Sequence, residues 1–180
     1  ESKLKFILNP GTLPQPGSTP FSWPLDKFVI TQLFGKTASS GRLYSSGTHN
    51  GVDFGVSIGT PVKAMADGVV EGVGNTDVQC PGVSFGKFIL IKYDNGLASS
   101  YGHLSLYKVS KGERVSRGQI VGYSGNTGYS TGPHLHVSVY ARDSVNLMTL
   151  PSKSCKGKIL TQPIAAINGY LDPMLYLPPR

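Results

Sequence analysis

The stretch Gly132-Pro133-His134-Leu135-His136-Val137-Ser138-Val139-Tyr140 alternates polar and apolar residues with a period of two. Side chains two apart on a strand project from the same face. His134 and His136 therefore stand together on one side, over a cleft, while Leu135 and Val137 point into a core. The pattern predicts a half-buried β-strand over residues 135–140.

Similar runs recur on either side of it, at residues 28–34, 51–54, 62–73, 88–93, 97–103 and 119–123. Their separators are Gly-rich or carry Asn-Gly, as in Asp94-Asn95-Gly96, a hairpin signal. The 23 glycines and 13 prolines are spread between these runs, which suits many short strands joined by turns. We expect a mostly β protein: a single antiparallel β-sheet domain with a loop-lined groove and few or no helices. One short helix is expected at residues 163–168, with Gly169 as its stop. Residues 1–22, rich in Pro and Gly, read as an N-terminal arm or linker, and residues 23–180 as the domain. Within the domain, residues 141–162 read as an inserted loop.

A chain of 180 residues can bury a core of its own. No apolar run approaches the roughly 20 residues that a transmembrane segment needs. The formal charge of +7 favours anionic partners, but the basic residues are scattered, with no dense tract and no nucleic-acid motif. The chain opens Glu1-Ser2-Lys3-Leu4, without the basic and then apolar run of a signal peptide. Cys80 and Cys155 are either two unrelated thiols or one disulfide closing a long loop.

All four histidines fall in three places: His49 and Asp53 in Thr48-His49-Asn50-Gly51-Val52-Asp53, His103 in Tyr101-Gly102-His103-Leu104-Ser105, and the His134/His136 pair. If residues 49–53 are extended, His49 and Asp53 share a face, with Gly51 leaving space between them. A catalytic zinc site takes three ligands from His and carboxylate and keeps a fourth place open. Two His and one Asp meet that need. The glutamate-assisted His-Glu-x-x-His chemistry is excluded, because none of Glu1, Glu71 and Glu113 adjoins a histidine. Imidazoles left over from metal binding suit proton transfer, with an ordinary pKa of about 6.5.

These motifs, with Gly102-His103-Leu104-Ser105 and Thr127-Gly128-Tyr129-Ser130-Thr131-Gly132-Pro133-His134-Leu135-His136, resemble the lysostaphin/LytM-type zinc peptidoglycan endopeptidases. Gly59-Thr60-Pro61-Val62-Lys63-Ala64, Val115-Ser116-Arg117-Gly118-Gln119-Ile120-Val121-Gly122 and the closing Leu171-Asp172-Pro173-Met174-Leu175-Tyr176-Leu177 are similar as well. The resemblance implies one Zn²⁺ held by His49, Asp53 and His136, with His103 and His134 as the catalytic histidines. It implies Tyr44 near the oxyanion, peptidoglycan peptide as substrate, and action in the cell envelope or outside the cell. It also favours the Cys80–Cys155 bridge. The 141–162 segment and the Cys80 loop fall outside the shared pattern, in the region where loops around the groove set substrate preference.

Two other readings compete. Gly128-Tyr129-Ser130-Thr131-Gly132 fits the Gly-x-Ser-x-Gly of serine hydrolases, but a nucleophile elbow needs a strand before the serine and a helix after it. Pro133 and a strand follow instead. The alternative is a catalytically silent wall-binding or regulatory domain on the same scaffold, and the complete histidine set argues against it.

Overall fold

The computed structural model describes residues 13–37, 41 and 47–180. Thirteen strands carry the described fold: β1 (Val29–Gln32), β2 (Val52–Gly55), β3 (Pro61–Lys63), β4 (Gly68–Asn75), β5 (Lys87–Tyr93), β6 (Leu97–Leu104), β7 (Leu106–Tyr107), β8 (Arg114–Val115), β9 (Ile120–Tyr123), β10 (His134–Ala141), β11 (Val145–Pro151), β12 (Ile159–Ala165) and β13 (Tyr170–Leu171). Every pairing is antiparallel. No helix of seven or more residues occurs among the described residues. None is long and apolar enough to cross a membrane.

The strands form three antiparallel sheets, in keeping with the mostly β domain expected. The main sheet runs β1-β2-β10-β6-β5-β4-β8, with β13 also pairing β10; β3-β9-β7 and β11-β12 form the other two. The expected run 62–73 divides between two of them. Ala64 and Met65 are fully buried, so hydropathy shows no break there. The break comes from distant backbone: Lys63 donates to Pro24 and Ala64 to Gln119, which carries the chain from one sheet to the other.

Alternation along β10 decides the two faces of the main sheet. Leu135, Val137 and Val139 pack with Val52, Phe54, Ile89, Ile91 and Tyr101 in the large core. His136, Ser138 and Tyr140 point the other way. Of the segment read as an arm, residues 13–22 lie against the domain: Phe21 is buried edge-on to Tyr93, and Gly17 and Phe21 donate to Leu175 and Tyr176.

Two further expectations are corrected. Residues 141–162 do not form a loop: β11 and β12 pair along their whole lengths from Val145↔Ala165 to Pro151↔Ile159. The Ser- and Lys-rich 152–158 is only the hairpin's turn. Residues 163–168 are not a helix either. Pro163 sits in β12 opposite Leu147, and a three-residue 3-10 turn follows at Ile167–Gly169. A proline that could open a helix is equally tolerated on an edge strand, and in a two-stranded sheet every strand is an edge. The hairpin buries Val145, Leu147 and Ala165 against Leu90, Ala98 and Tyr140, a second small core on the sheet's outer face. Cys80 and Cys155 are joined as a disulfide, Cα atoms 6.0 Å apart, tying the hairpin's turn to the loop after β4.

Candidate metal centre and groove

Strand register brings the centre together. His136 stands directly opposite Asp53 on β2 and opposite Gly102 on β6. His49 lies outside any strand, held by an isolated bridge in which Gly35 and His49 exchange backbone hydrogen bonds of 2.8 and 2.9 Å. His136 Nδ1 is 2.8 Å from Asp53 Oδ1, His49 Nε2 is 3.3 Å from the same oxygen, and the two nitrogens are 3.2 Å apart. Ligand atoms about 2.0–2.1 Å from a tetrahedral ion stand roughly 3.3 Å from one another, so this triangle has the size of three corners of such a site. Among the described residues it is the group of His, Cys, Asp or Glu side chains able to hold a metal.

Outer hydrogen bonds aim each ring. His49 Nδ1 donates to the Leu33 carbonyl at 3.0 Å, which directs Nε2 inward. Ser138 Oγ, 2.8 Å from His136 Nε2, leaves Nδ1 facing Asp53. Such partners fix ring orientation and tautomer at metal sites. Burial alone would raise the Asp53 carboxyl, but the His136 and His49 imidazoles hold it well below the usual carboxylate range, as an anion. Burial lowers His136, outweighing the Asp53 carboxylate that would raise it.

The other two histidines face the same centre. His134 Nδ1 donates to the Gly132 carbonyl at 2.8 Å, and its Nε2 lies 3.6 Å from Asp53 Oδ1. His103 Nδ1 donates to the Thr127 carbonyl at 2.7 Å. The His103 and His134 rings are 4.6 Å apart between centroids. Strict alternation would send His103 to the core, beside Tyr101. Instead β6 spends three steps, Tyr101 to Leu104, where β5 spends two, Ile89 to Lys87, and His103 takes a left-handed φ of +60°. This bulge re-aims its side chain onto the groove face, a strained conformation of the kind that gathers at functional sites. Burial, then the nearby His136 and His134, push its pKa down to about 3, so it is neutral at ordinary pH.

Sequence reasoning named the four histidines and Asp53 but missed their supports. Ser138 was findable, two residues beyond His136 on the same face. The Leu33, Thr127 and Gly132 contacts are backbone carbonyls and leave no mark in residue type. Gly51 was read as leaving open space, but it is crowded: a Cβ there would come within 2.8 Å of the His136 ring. Tyr44 lies outside the described residues. Ser130 lies in the irregular segment before β10, with no helix after it, so the serine-elbow context is absent.

The centre opens on a groove of about 900 Å³ whose lining includes His49, His103 and His136, with Phe85 and Tyr129 among the walls. The lining also reaches Ser154, Ile167 and Tyr170, in and beyond the hairpin.

Comparison with known proteins agrees with this arrangement. Peptidoglycan DD-endopeptidase ShyA of Vibrio cholerae is 42% identical over 130 residues, 71% of this chain and 29% of that protein. Glycyl-glycine endopeptidase ALE-1 of Staphylococcus capitis is 46% identical over 92 residues, 51% of this chain and 24% of its own. The chain thus spans less than a third of either relative. The crystallised catalytic domain of lysostaphin from Staphylococcus simulans superposes with a TM-score of 0.55 and 37% identity, covering 64% of this chain and 81% of that one. The model of Peptidase family M23 matches residues 47–147, which take in β2 to β10 and all four histidines. With more than half of its length matched and the centre inside the match, the chain belongs to peptidase family M23.

Proposed function

We propose that the chain is a zinc-dependent endopeptidase that hydrolyses peptide bonds in bacterial peptidoglycan, in its cross-bridge or stem peptide. The observation that carries this reading is the His49–Asp53–His136 triangle, with its 2.8–3.3 Å spacing, at the floor of an open groove. The donor set of two imidazoles and one buried carboxylate fits zinc in a catalytic rather than a closed structural site. Zinc held there would supply a Lewis acid that acidifies water and polarises a carbonyl.

The chain's own residues would handle the protons. Neutral His103, its Nδ1 proton engaged by Thr127, presents Nε2 as an acceptor. His134, its Nδ1 proton on Gly132, presents a second imidazole beside it. One accepts a proton from the attacking water and returns it to the leaving amine; the other steadies the charge that develops on the scissile oxygen. With zinc bound, the Asp53 carboxylate would offset one unit of its charge and leave the centre electrophilic.

The +7 charge suits an anionic wall polymer, and the disulfide suits an oxidising compartment, which together favour action in the envelope or outside the cell. The test is release of amino groups from purified peptidoglycan. Chelator should abolish it and added zinc restore it; release that persists through exhaustive chelation rejects the proposal.

A further inference from the structure

The sheet face that carries the centre does not end there. From His136 it continues through Ser138 and Ser100 to Tyr140 and Ala98, and at that end the β11–β12 hairpin covers it. The family match stops at residue 147, so most of the hairpin, Cys155 and everything up to β13 lie beyond it. That segment lines the same cavity as His103 and His136, through Ser154, Ile167 and Tyr170.

Its two apolar contributors sit on backbone that the fold holds in place. Tyr170 pairs with Tyr140 across β13 and β10, and their rings lie 5.1 Å apart. Ile167 heads the 3-10 turn before it; Gly169 in that turn packs so closely on Ser144 that a Cβ would overlap the hydroxyl. The disulfide pins the hairpin's turn to the loop that supplies Val83 and Phe85 to the same lining. Yet Ile167 itself is 84% exposed. The fold thus places an aliphatic side chain on a groove wall without burying it.

We infer that Ile167 and Tyr170 form a side-chain subsite, which selects neutral peptides carrying an aliphatic side chain, of alanine type, over runs of glycine. Glycine offers this wall no carbon beyond the backbone, whereas a methyl group placed on Ile167 and the Tyr170 ring leaves water. The inference rests on the groove being where substrate peptide lies.

Binding tests it apart from turnover. Acetyl-tetra-alanine-amide, in all-L and mixed L,D forms, and acetyl-tetraglycine-amide are titrated into the full chain with and without zinc, and isoleucine methyl resonances are followed by NMR. At least one alanine form should shift the Ile167 methyl and bind about tenfold more tightly than the glycine peptide, the worth of one buried methyl group. Ile167→Ser, at an exposed position, should erase that preference and leave glycine binding unchanged. Equal affinities in the wild type, a preference that survives Ile167→Ser, or no binding of any peptide would overturn the subsite. Alanine-selective binding without cleavage supports the subsite and overturns the hydrolase reading.

Discussion

Gly51 and His136 are locked together: a Cβ on residue 51 would lie 2.8 Å from both Cε1 and Nε2 of the His136 ring and would overlap the Val137 carbonyl. The ring cannot retreat without leaving Ser138, and the carbonyl is backbone of β10. Gly51→Ala should therefore push His136 off the triangle. We expect weaker zinc binding together with a loss of about 1–3 kcal/mol of stability from overpacking. Zinc titration and thermal unfolding check this; an alanine variant with wild-type zinc affinity contradicts it.

The roles assigned to the histidines separate by metal content. His49→Ala removes a proposed ligand, so it should cost more zinc affinity than the roughly 10–100-fold typical of losing an outer partner, and activity should go with it. His134→Ala should keep its zinc while turnover falls by about 100- to 10,000-fold, the usual worth of a proton-transferring side chain. Metal analysis beside amino-group release decides the matter. Equal zinc loss in both variants would show that the ligand set is misassigned.

Asp77 reaches the site through backbone. Its carboxylate accepts from Gly128 at 2.9 Å and Gly82 at 2.8 Å, and the neighbouring Thr127 carbonyl holds His103. Asp77→Ala should free that loop and lower kcat about 10- to 100-fold, with KM and zinc content little changed. Asp77→Asn keeps only one accepting oxygen for two amides and should fall between. A change in KM alone would place the loop's role in binding instead.

The disulfide joins Cys80 and Cys155 across a sequence separation of 75. Replacing both by serine should lower stability by up to about 4 kcal/mol if restriction of the unfolded chain is its main effect. Denaturant unfolding of the double variant measures this. An unchanged midpoint, with free thiols detected in the native wild type, would show that the bridge does not form in solution.

Alkaline pH should expose the core tyrosines only by unfolding it. Tyr93, Tyr101 and Tyr140 are fully buried and hydrogen-bonded to Ser99, to one another and to Ser100. Burial pushes Tyr101 up to about 12, and raises Tyr93 and Tyr140 as well. Because the folded values exceed the unfolded one near 10, the linked stability is present below pH 10 and drains as pH rises toward 12. Absorbance titration should show these tyrosines ionising only together with loss of structure. Smooth ionisation of all nine near pH 10 in a folded chain would contradict it.

Much of the centre was legible in residue order because strands impose a period of two. That period alone placed His134 with His136 on one face and Leu135 with Val137 on the other, and it identified most strands of the main sheet. It could not identify the bulge at His103, where one extra residue in β6 rotates a side chain that alternation assigns to the core. Nor could it locate the hairpin of β11 and β12, whose Pro163 suits a helix start and an edge strand equally well.

Sequence by itself determined the β class and the family resemblance and named the candidate ligands, since these depend on residue type and short spacing. Only the tertiary structure decided which nitrogen of each imidazole turns inward, why Gly51 must lack a side chain, and how the disulfide-tied hairpin walls the groove. Those features arise where segments far apart in the chain meet, as Asp53, Gly102 and His136 do across three neighbouring strands. Backbone carbonyls, steric crowding and register between distant strands act there, and none of them is written in local residue order.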